Sequence, residues 1–326
     1  MYGPNFTFLG IERCDLDKPE TFKDADVVIV GAPIDSGTSH RSGAKFGPQA
    51  IRMGDYLPHD GERPHLALRT DGLKDLKVVD AGDLIMNGGD LVGSLKFLEA
   101  ATEKISKAGA IAVVLGGDHS IASADVAGIA NHRGKGKVSM IHFDAHADTG
   151  ADQFGALVGH GTPMRRLIEN GHVRGDRFLQ LGLRGYWPDD ATLNWMRDQG
   201  MRSYEMTEIH HRGLKTVLDE SFSILTDGCD GVFLSVDIDV VDPGMAPGTG
   251  TPEPGGMTSR ELLEAVRRIC LELPIVGIDV VEVAPPFDTS DITAILANRV
   301  VLEALSAIAK RKSGAKYSPI QNLLDR

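Results

Sequence analysis

Aspartate and histidine residues follow three apolar segments of the sequence, which are residues 111–115, 138–143 and 232–236. The candidate side chains in these three clusters are His119, Asp144, His146, Asp148, Asp237 and Asp239. In an extended chain, residues two positions apart face the same side. We therefore expect the members of each cluster to point together.

Four carboxylates and two imidazoles in one place indicate a site for two divalent cations. Four carboxylates within a few Å of one another cannot all stay ionised without counter-charge, and two divalent cations supply it. Oxygen-rich ligation with one histidine per ion favours manganese, or another six-coordinate ion, over tetrahedral zinc. Two ions about 3.5–4 Å apart can lower the pKa of a water between them. The clusters therefore predict metal-assisted hydrolysis.

Two further aspartates in these clusters are interpreted differently. Asp118 and Asp242 stand beside the candidate ligands, but a single aspartate after a strand most often caps a helix or closes a turn. We interpret both as turn or supporting residues. Helix capping alone does not explain six candidate metal ligands that follow three separate apolar segments.

The elements that must position these side chains are apolar segments rich in Val and Ile, typical of strands covered on both faces of a parallel sheet. They are residues 27–30, 78–79, 111–115, 138–143, 178–183, 232–236 and 275–283. Helical periodicity occurs at residues 91–105, 214–225 and 292–308, and Thr258 with Glu261 predicts a capping box. The alternation predicts one α/β domain over residues 1–326, three-layer α/β/α with a mostly parallel central sheet. Ligands of such sheets bind beyond the carboxyl ends of the strands.

The composition of the 326-residue chain limits its partners and location. Its content of 42% hydrophobic and 25% charged residues is typical of a globular protein. A net charge of −12 argues against nucleic acid as a partner. Three scattered cysteines favour a reducing compartment, and neither a secretory signal nor an apolar run of about 18 residues is evident. We expect a cytoplasmic protein that contacts no membrane and binds a small molecule.

The motifs resemble those of the ureohydrolases, the arginase and agmatinase superfamily. The resemblance rests on residues 116–120 (GGDHS), 144–148 (DAHAD) and 235–243 (SVDIDVVDP), and further on residues 43–48 (GAKFGP), 160–163 (HGTP), 248–252 (GTGTP) and 279–283 (DVVEV). It implies an arginase-like fold and usually manganese, with nickel in some relatives. It also implies a homo-oligomer, a trimer or a hexamer.

The resemblance implies a role for each residue that matches the family's motifs. The six clustered side chains become ligands of two metal ions, with Asp144 and Asp237 bridging them. His160 matches the proton-shuttling histidine, and histidine titrates near neutral pH. Glu282 matches the carboxylate that grips the guanidinium group, for which a fork-like carboxylate is suited. The implied reaction is hydrolysis of a guanidino compound to urea and an amine, through a tetrahedral intermediate that Asp148 and the metals stabilise.

Two loops depart from the family's usual pattern and leave the substrate open. An aromatic residue commonly stands at the position of Ile34 and a proline at that of Ser42, while Ala284 and Thr289 replace a common serine and histidine. Gly150 stands where arginases have an asparagine for their amino-acid substrate, which disfavours arginine. The changes flank the expected pocket and spare the candidate ligands.

Several substrates and functions remain open from the sequence. Residues 150–159 with Phe154, and residues 184–187 with Tyr186 and Trp187, are expected to wall the tail pocket, where an aromatic ring can pack a methylene chain or a methylated amine. Agmatine leads, followed by guanidinobutyrate or guanidinopropionate, and then a small or alkylated guanidine or a biguanide of the metformin type. A formimino-type amidohydrolase is the alternative enzyme. The non-enzyme alternative is a metal-binding support subunit in a hetero-oligomer with an active paralogue.

Overall fold

Eight strands form one sheet in the computed structural model, which describes residues 7–55, 63–314, 316–322 and 324. The strands are β1 Val27–Ala32, β2 Val78–Asp83, β3 Ile111–Gly116, β4 Val138–Phe143, β5 Phe178–Leu183, β6 Arg202–Glu205, β7 Gly231–Asp237 and β8 Ile275–Val281. Their order across the sheet is β2-β1-β3-β8-β7-β4-β5-β6, and each neighbouring pair is parallel. The predicted parallel sheet is confirmed.

Seven of these strands coincide with the predicted apolar segments, and β6 does not. Its sequence, RSYE, is polar because β6 is an edge strand and only Tyr204 is fully buried. The prediction for β8 ran too far, to residue 283. The strand ends at Val281 because Glu282 has a left-handed backbone conformation, with φ of 61°.

Helices and two hydrophobic cores cover both faces of the sheet. The helices are α1 Gly47–Met53, α2 Gly72–Asp75, α3 Leu91–Lys107, α4 Ala122–Arg133, α5 Pro163–Glu169, α6 Asp190–Asp198, α7 Met206–Arg212, α8 Leu214–Thr226, α9 Ser259–Glu272 and α10 Ile292–Ser313. Successive residues of β1 alternate between the cores: Val27 packs in the core that includes α8, α9 and α10, and Val28 in the core that includes α3, α4 and α5. Since strand side chains alternate between faces, the architecture is the predicted three-layer α/β/α.

Two helices test particular sequence predictions. The predicted capping box begins α9: the Thr258 hydroxyl accepts from the Glu261 N–H at 3.2 Å, and the Glu261 carboxylate accepts from the Thr258 N–H at 2.8 Å. The apolar helix α10 reaches a mean hydropathy of 1.6 over 18 residues, so by length and composition alone it could cross a membrane. However, 72% of that window is buried inside the protein, against α9 and β8 among others. The protein itself therefore covers its apolar surface.

The order of the central strands explains why the polar clusters meet. The strands β3, β8, β7 and β4 are consecutive neighbours in the sheet. Each is followed at its carboxyl end by candidate site residues: His119 after β3, Glu282 after β8, Asp237 at the end of β7 and Asp144 after β4. Because the strands are parallel, these four ends lie along one edge of the sheet.

Candidate metal and substrate site

Tight turns bring the candidate ligands together. The spacing had predicted an extended chain in each cluster, and that prediction was wrong. The strand β4 ends at Phe143, and the Asp144 carboxylate then accepts the N–H of His146 at 2.6 Å. Asp148 has a left-handed conformation with φ of 51°. The strand β7 ends at Asp237, whose carboxylate likewise accepts the N–H of Asp239 at 2.8 Å. Aspartate readily bonds the backbone two residues onward, so the spacing of two produces a turn at each strand end.

A first group of donors surrounds His119, which is fully buried. Its Nδ1 lies 3.0 Å from Asp144 Oδ2, 3.1 Å from Asp148 Oδ2 and 3.2 Å from Asp237 Oδ2. This Nδ1 nonetheless has no hydrogen-bond partner of acceptable geometry. One imidazole nitrogen and three carboxylate oxygens therefore face a common point, the donor set that a manganese-type ion takes.

A second group of donors surrounds His146 and shares Asp144 with the first. His146 Nδ1 lies 3.1 Å from Asp239 Oδ2 and 3.4 Å from Asp144 Oδ1. Asp144 thus presents one oxygen to each histidine, as a bridging carboxylate would. Asp237 presents Oδ2 to His119, while its Oδ1 accepts the N–H of Asp239.

The electrostatics of these groups favour a bound cation. Burial and the neighbouring carboxylates Asp239 and Asp144 raise the pKa of Asp237 well above its usual value. Burial lowers the pKa of His146, but Asp239 and Asp144 outweigh it and raise that pKa to about 12. Carboxylates that resist ionisation and imidazoles that hold protons are what an excess of buried negative charge produces. Divalent cations would replace those protons, so the donors fit the predicted metal pair.

Glu282 and His160 form a buried pair beside these donors. Glu282 Oε1 accepts from the backbone N–H of His119 and from His160 Nδ1, both at 2.9 Å, while its buried Oε2 has no partner among the described residues. Burial would raise the pKa of Glu282, but the hydrogen bond and charge of His160 lower it. Glu282 in turn raises the pKa of His160 to about 9, against the lowering effect of burial.

Ser39 completes this pair and was missed in the sequence. Its hydroxyl lies 2.7 Å from His160 Nε2, and its N–H donates to the same nitrogen at 3.0 Å. In the neutral form of His160, Nε2 therefore accepts from Ser39 and Nδ1–H faces Glu282. The two residues stand 121 positions apart, and no local pattern could have joined them.

His142 was also missed, because it lies inside an apolar strand. Gln180 donates to the Ala147 carbonyl at 2.6 Å, which fixes the orientation of its amide, and the same NH2 group lies 3.1 Å from His142 Nδ1. His142 Nδ1 therefore accepts, and Nε2–H donates to Asp144 Oδ2 at 2.9 Å. A histidine within a buried strand needs polar partners, and that requirement was the available signal.

Replacing His142 with leucine should lower the free energy of unfolding by about 1–3 kcal/mol, because Asp144 and Gln180 would each lose a buried partner. The substitution His142→Gln keeps an amide N–H that can reach Asp144 and should recover part of the loss. Denaturant unfolding of the three proteins measures the difference. A leucine variant as stable as wild type would contradict this role.

A cavity of about 410 Å³ opens over the donor groups. Its lining residues are Ser39, His146, Asp148, Asp152, Gln153, Phe154, His160, Gly161, Trp187, Asp237 and Thr251. Phe154 and Trp187 were expected in this wall, whereas Tyr186 points fully into solvent. A Cβ on Gly150 would lie 3.0 Å from the Gly161 carbonyl, so a larger side chain there would displace the loop.

Asp118 is a buried turn residue beside this site, and other features of the described residues lie outside it. Asp118 caps a short helical turn by accepting the N–H of Ser120, and Asp242 accepts from the N–H groups of Gly244 and Gly255. Both are turn residues, as interpreted. A larger groove of about 760 Å³ between α8, α9 and the C-terminal segment is lined by apolar residues and by Arg, Lys and Glu side chains, several of them paired with one another. We assign the chemistry to the smaller cavity because the converging donors lie there.

Comparisons with known proteins agree on one family. The sequence profile of the Arginase family matches residues 25–307. The chain is 37% identical to a guanidinobutyrase of Pseudomonas aeruginosa over 90% of this chain and 89% of that one, and 39% identical to an agmatinase of Cronobacter sakazakii over 93% and 94%. Among solved structures, proclavaminate amidinohydrolase from Streptomyces clavuligerus superposes with a TM-score of 0.82 at 35% identity, covering 95% of this chain and 99% of that one.

Proposed function

This chain belongs to the Arginase family, and from that premise we infer that it is an amidinohydrolase, which cleaves the C–N bond of a guanidino compound to give urea and an amine. The observation that carries the inference is the pair of donor groups that share Asp144. One oxygen of this carboxylate faces His119 and the other faces His146. The relatives named guanidinobutyrase and agmatinase support the same reaction class.

Two divalent cations are the proposed cofactors, manganese in preference to nickel. The residues that would hold them are His119, Asp144, His146, Asp148, Asp237 and Asp239. Carboxylate-rich donor sets with one imidazole each suit manganese. When bound, the two ions would activate the attacking water and stabilise the negative charge that develops.

Side chains of this protein are proposed to bind the guanidinium group, stabilise the intermediate and transfer a proton. We assign the unpaired Oε2 of Glu282 to the guanidinium group, because an ionised buried oxygen without a donor matches a planar cation. Asp148, which lines the cavity, would accept a further N–H of the intermediate. His160 would first take up a proton at Nε2, which its raised pKa favours, and then pass that proton to the departing amine. Ser39 Oγ, at 2.7 Å from His160 Nε2, is the nearest group that could carry that proton.

Agmatine is the proposed substrate, because of the charge of the cavity wall. The described lining residues include the carboxylate of Asp152 and the aromatic rings of Phe154 and Trp187, and no lysine or arginine is among them. An acidic and aromatic wall attracts a cationic amine and gives the carboxylate of a guanidino acid no counter-charge.

Urea release from a substrate panel tests this proposal. The protein would be loaded separately with manganese and nickel and given agmatine, guanidinobutyrate, guanidinopropionate, arginine, guanidine and alkylated guanidines. We expect the highest kcat/KM with agmatine and manganese. If a guanidino acid or an alkylated guanidine is the best substrate, the proposal of agmatine is wrong, but the proposed hydrolysis to urea still holds. Formamide release from a formimino substrate without urea from this panel, or two bound metals with no turnover, would contradict the proposed reaction class.

Replacing Asp152 with asparagine should raise the KM for agmatine and leave kcat nearly unchanged. Asparagine can still accept the N–H of Gly155, which Asp152 Oδ1 accepts at 2.8 Å, so the loop keeps its anchor. The lost attraction of an exposed charge is worth up to about 1 kcal/mol, or roughly fivefold in KM. Asp190→Asn, an exposed residue of α6 outside the cavity lining, is the matched control. An unchanged KM would remove Asp152 from tail recognition.

Cytoplasmic location and oligomeric assembly complete the proposal. Cys14, Cys229 and Cys270 are all free, which fits a reducing compartment. We propose a homo-oligomer, a trimer or a hexamer. Light scattering coupled to gel filtration measures its mass. Activity that appears only after a paralogous subunit is added would favour a hetero-oligomer.

A further inference from the structure

Two buried aspartates that the proposed reaction does not use lie behind His119. Asp125 is on α4 and Asp279 on β8, and both are fully buried. Each has a buried Oδ2 with no partner among the N–H and O–H donors of the described residues, and burial together with the neighbouring charge of Asp279 raises the pKa of Asp125. Two neighbouring buried carboxylates cannot both stay ionised without counter-charge, so one of them carries a proton that it can donate to the other.

The hydrogen bonds around the pair locate that proton. Asp279 Oδ1 accepts the Ser235 hydroxyl at 2.8 Å and the Val236 N–H at 3.2 Å. Asp125 Oδ1 accepts only the N–H of the next residue, Val126, at 2.6 Å. More donors stabilise the ionised form, so Asp279 is the carboxylate and Asp125 the acid. Burial and Asp279 raise the pKa of Asp125 well above its usual range. Burial also raises the pKa of Asp279, but the charge of His119 and the hydrogen bond from Ser235 oppose that rise.

Ser235 links the ionised member to His119. Ser235 and Asp279 are register partners on the neighbouring strands β7 and β8, and Ser235 Oγ lies 3.0 Å from His119 Nε2. The single hydroxyl proton is donated to Asp279, so Ser235 Oγ must accept, and His119 Nε2 must carry hydrogen. A neutral imidazole with hydrogen on Nε2 has its lone pair on Nδ1. That is the buried atom without a hydrogen-bond partner that faces three carboxylates.

We propose that the Asp125–Asp279 pair, acting through Ser235, holds His119 in the tautomer whose Nδ1 binds a divalent cation. The inference rests on the proposed function in one respect, which is that His119 is a metal ligand. The acid–carboxylate pair puts a single negative charge behind Ser235. The proton of Asp125 supplies a hydrogen bond to an oxygen of Asp279 that would otherwise be buried and unsatisfied, which is costly for a charged group. Asp125, Asp279 and Ser235 are therefore positioning residues.

Calorimetric titration of the metal-free protein with manganese tests the proposal by metal affinity. Wild type should show two binding events. Ser235→Ala removes the acceptor of His119 Nε2–H and should weaken one event by about 10–100-fold, the range for outer hydrogen-bond partners of a metal ligand. The other event, at His146, should keep its affinity. A general loss of structure would weaken both events, so this split separates positioning from folding.

The two aspartates should respond differently to asparagine. Asp125→Asn replaces the acid with an amide that donates the same hydrogen bond, and both binding events should keep wild-type affinity. Asp279→Asn removes the charge that accepts from Ser235, and the His119 event should weaken. Circular dichroism of the metal-free variants checks that they fold. If Ser235→Ala does not fold, the comparison of Asp125→Asn with Asp279→Asn still tests the proposed positioning role.

The outcomes separate this inference from the proposed function. Wild-type affinity in both Ser235→Ala and Asp279→Asn would overturn the positioning role. An Asp125→Asn variant as weak as Asp279→Asn would overturn the assignment of the proton. A wild-type protein that binds no divalent cation would overturn the proposed function, and the inference with it.

Discussion

Exchanging Asp144 for asparagine should abolish urea release and remove both metal ions from the protein. Asp144 is the one carboxylate among the described residues whose two oxygens face different histidines, at 3.0 Å from His119 Nδ1 and 3.4 Å from His146 Nδ1. An amide has a neutral oxygen and a nitrogen that cannot ligate, so one centre loses a donor and both lose charge. The loss of affinity should exceed the roughly 10–100-fold that follows from changing an outer partner.

The matched control for Asp144→Asn is Asp242→Asn. Both aspartates follow a central strand and both accept backbone N–H groups, but Asp242 accepts only from Gly244, Gly255 and Gly256 in a turn. Its asparagine variant should bind two metal ions per chain and keep wild-type turnover. Metal content measured by atomic emission, together with urea release, compares the two variants. Full metal content in Asp144→Asn would contradict the bridging role.

Metal binding should also be visible as thermal stability. A cation held at 100 times its Kd stabilises the folded protein by about 2.7 kcal/mol per site. Wild type should therefore melt several degrees higher with manganese than after chelation, whereas Asp144→Asn should show almost no difference. An equal shift in the variant would mean that the ions bind elsewhere.

Replacing Glu282 with glutamine should lower kcat/KM more than any other change outside the metal ligands. Its Oε1 accepts from His160 and from the His119 N–H, and its buried Oε2 is left for the guanidinium group. Removing one partner of a buried charge pair costs about 2–5 kcal/mol, which corresponds to roughly 30- to 5,000-fold in rate. Glutamine keeps an oxygen for the His119 N–H, so metal content should not change.

The control for Glu282→Gln is Glu261→Gln. Glutamine can also close a capping box at the start of a helix, so activity and stability should both match wild type. Steady-state kinetics with metal-loaded protein and a metal assay measure the two variants. If Glu282→Gln loses less than tenfold, the guanidinium group is held by other residues.

The sequence predicted the strands well because their environment leaves a simple pattern. Strands buried on both faces, such as β4, must be apolar throughout, whereas the edge strand β6 has no such requirement and its polar sequence gave no signal. The cluster spacing correctly placed His119, Asp144 and Asp237 near one another, since parallel strands share an edge. The prediction that each cluster is extended was wrong. Asp144 and Asp237 each accept the backbone N–H two residues onward, and the chain turns there.

The partners of the site residues could not be predicted, because long-range contacts bring them together. Ser39 reaches His160 across 121 residues, and the hydroxyl of Ser235 reaches His119 across 116. Ser235 begins one of the family's motifs, but nothing in the local sequence of either serine indicates which histidine it contacts. The identity of the substrate tail could not be predicted either, because the wall of the cavity comes from separate loops that include Phe154, Trp187 and Thr251.

The candidate metal ligands lie at strand ends, whereas the residues expected to contact the substrate tail lie on loops. The candidate ligands are anchored to β3, β4 and β7 in the interior of the sheet, while Asp152, Phe154 and Trp187 in the wall of the substrate tail are exposed residues of loops. Surface segments tolerate exchange far better than buried strands do. Exchanging residues 150–159 together with the loops that carry Trp187 and Thr251 should therefore change the preferred substrate tail and leave the candidate metal ligands in place.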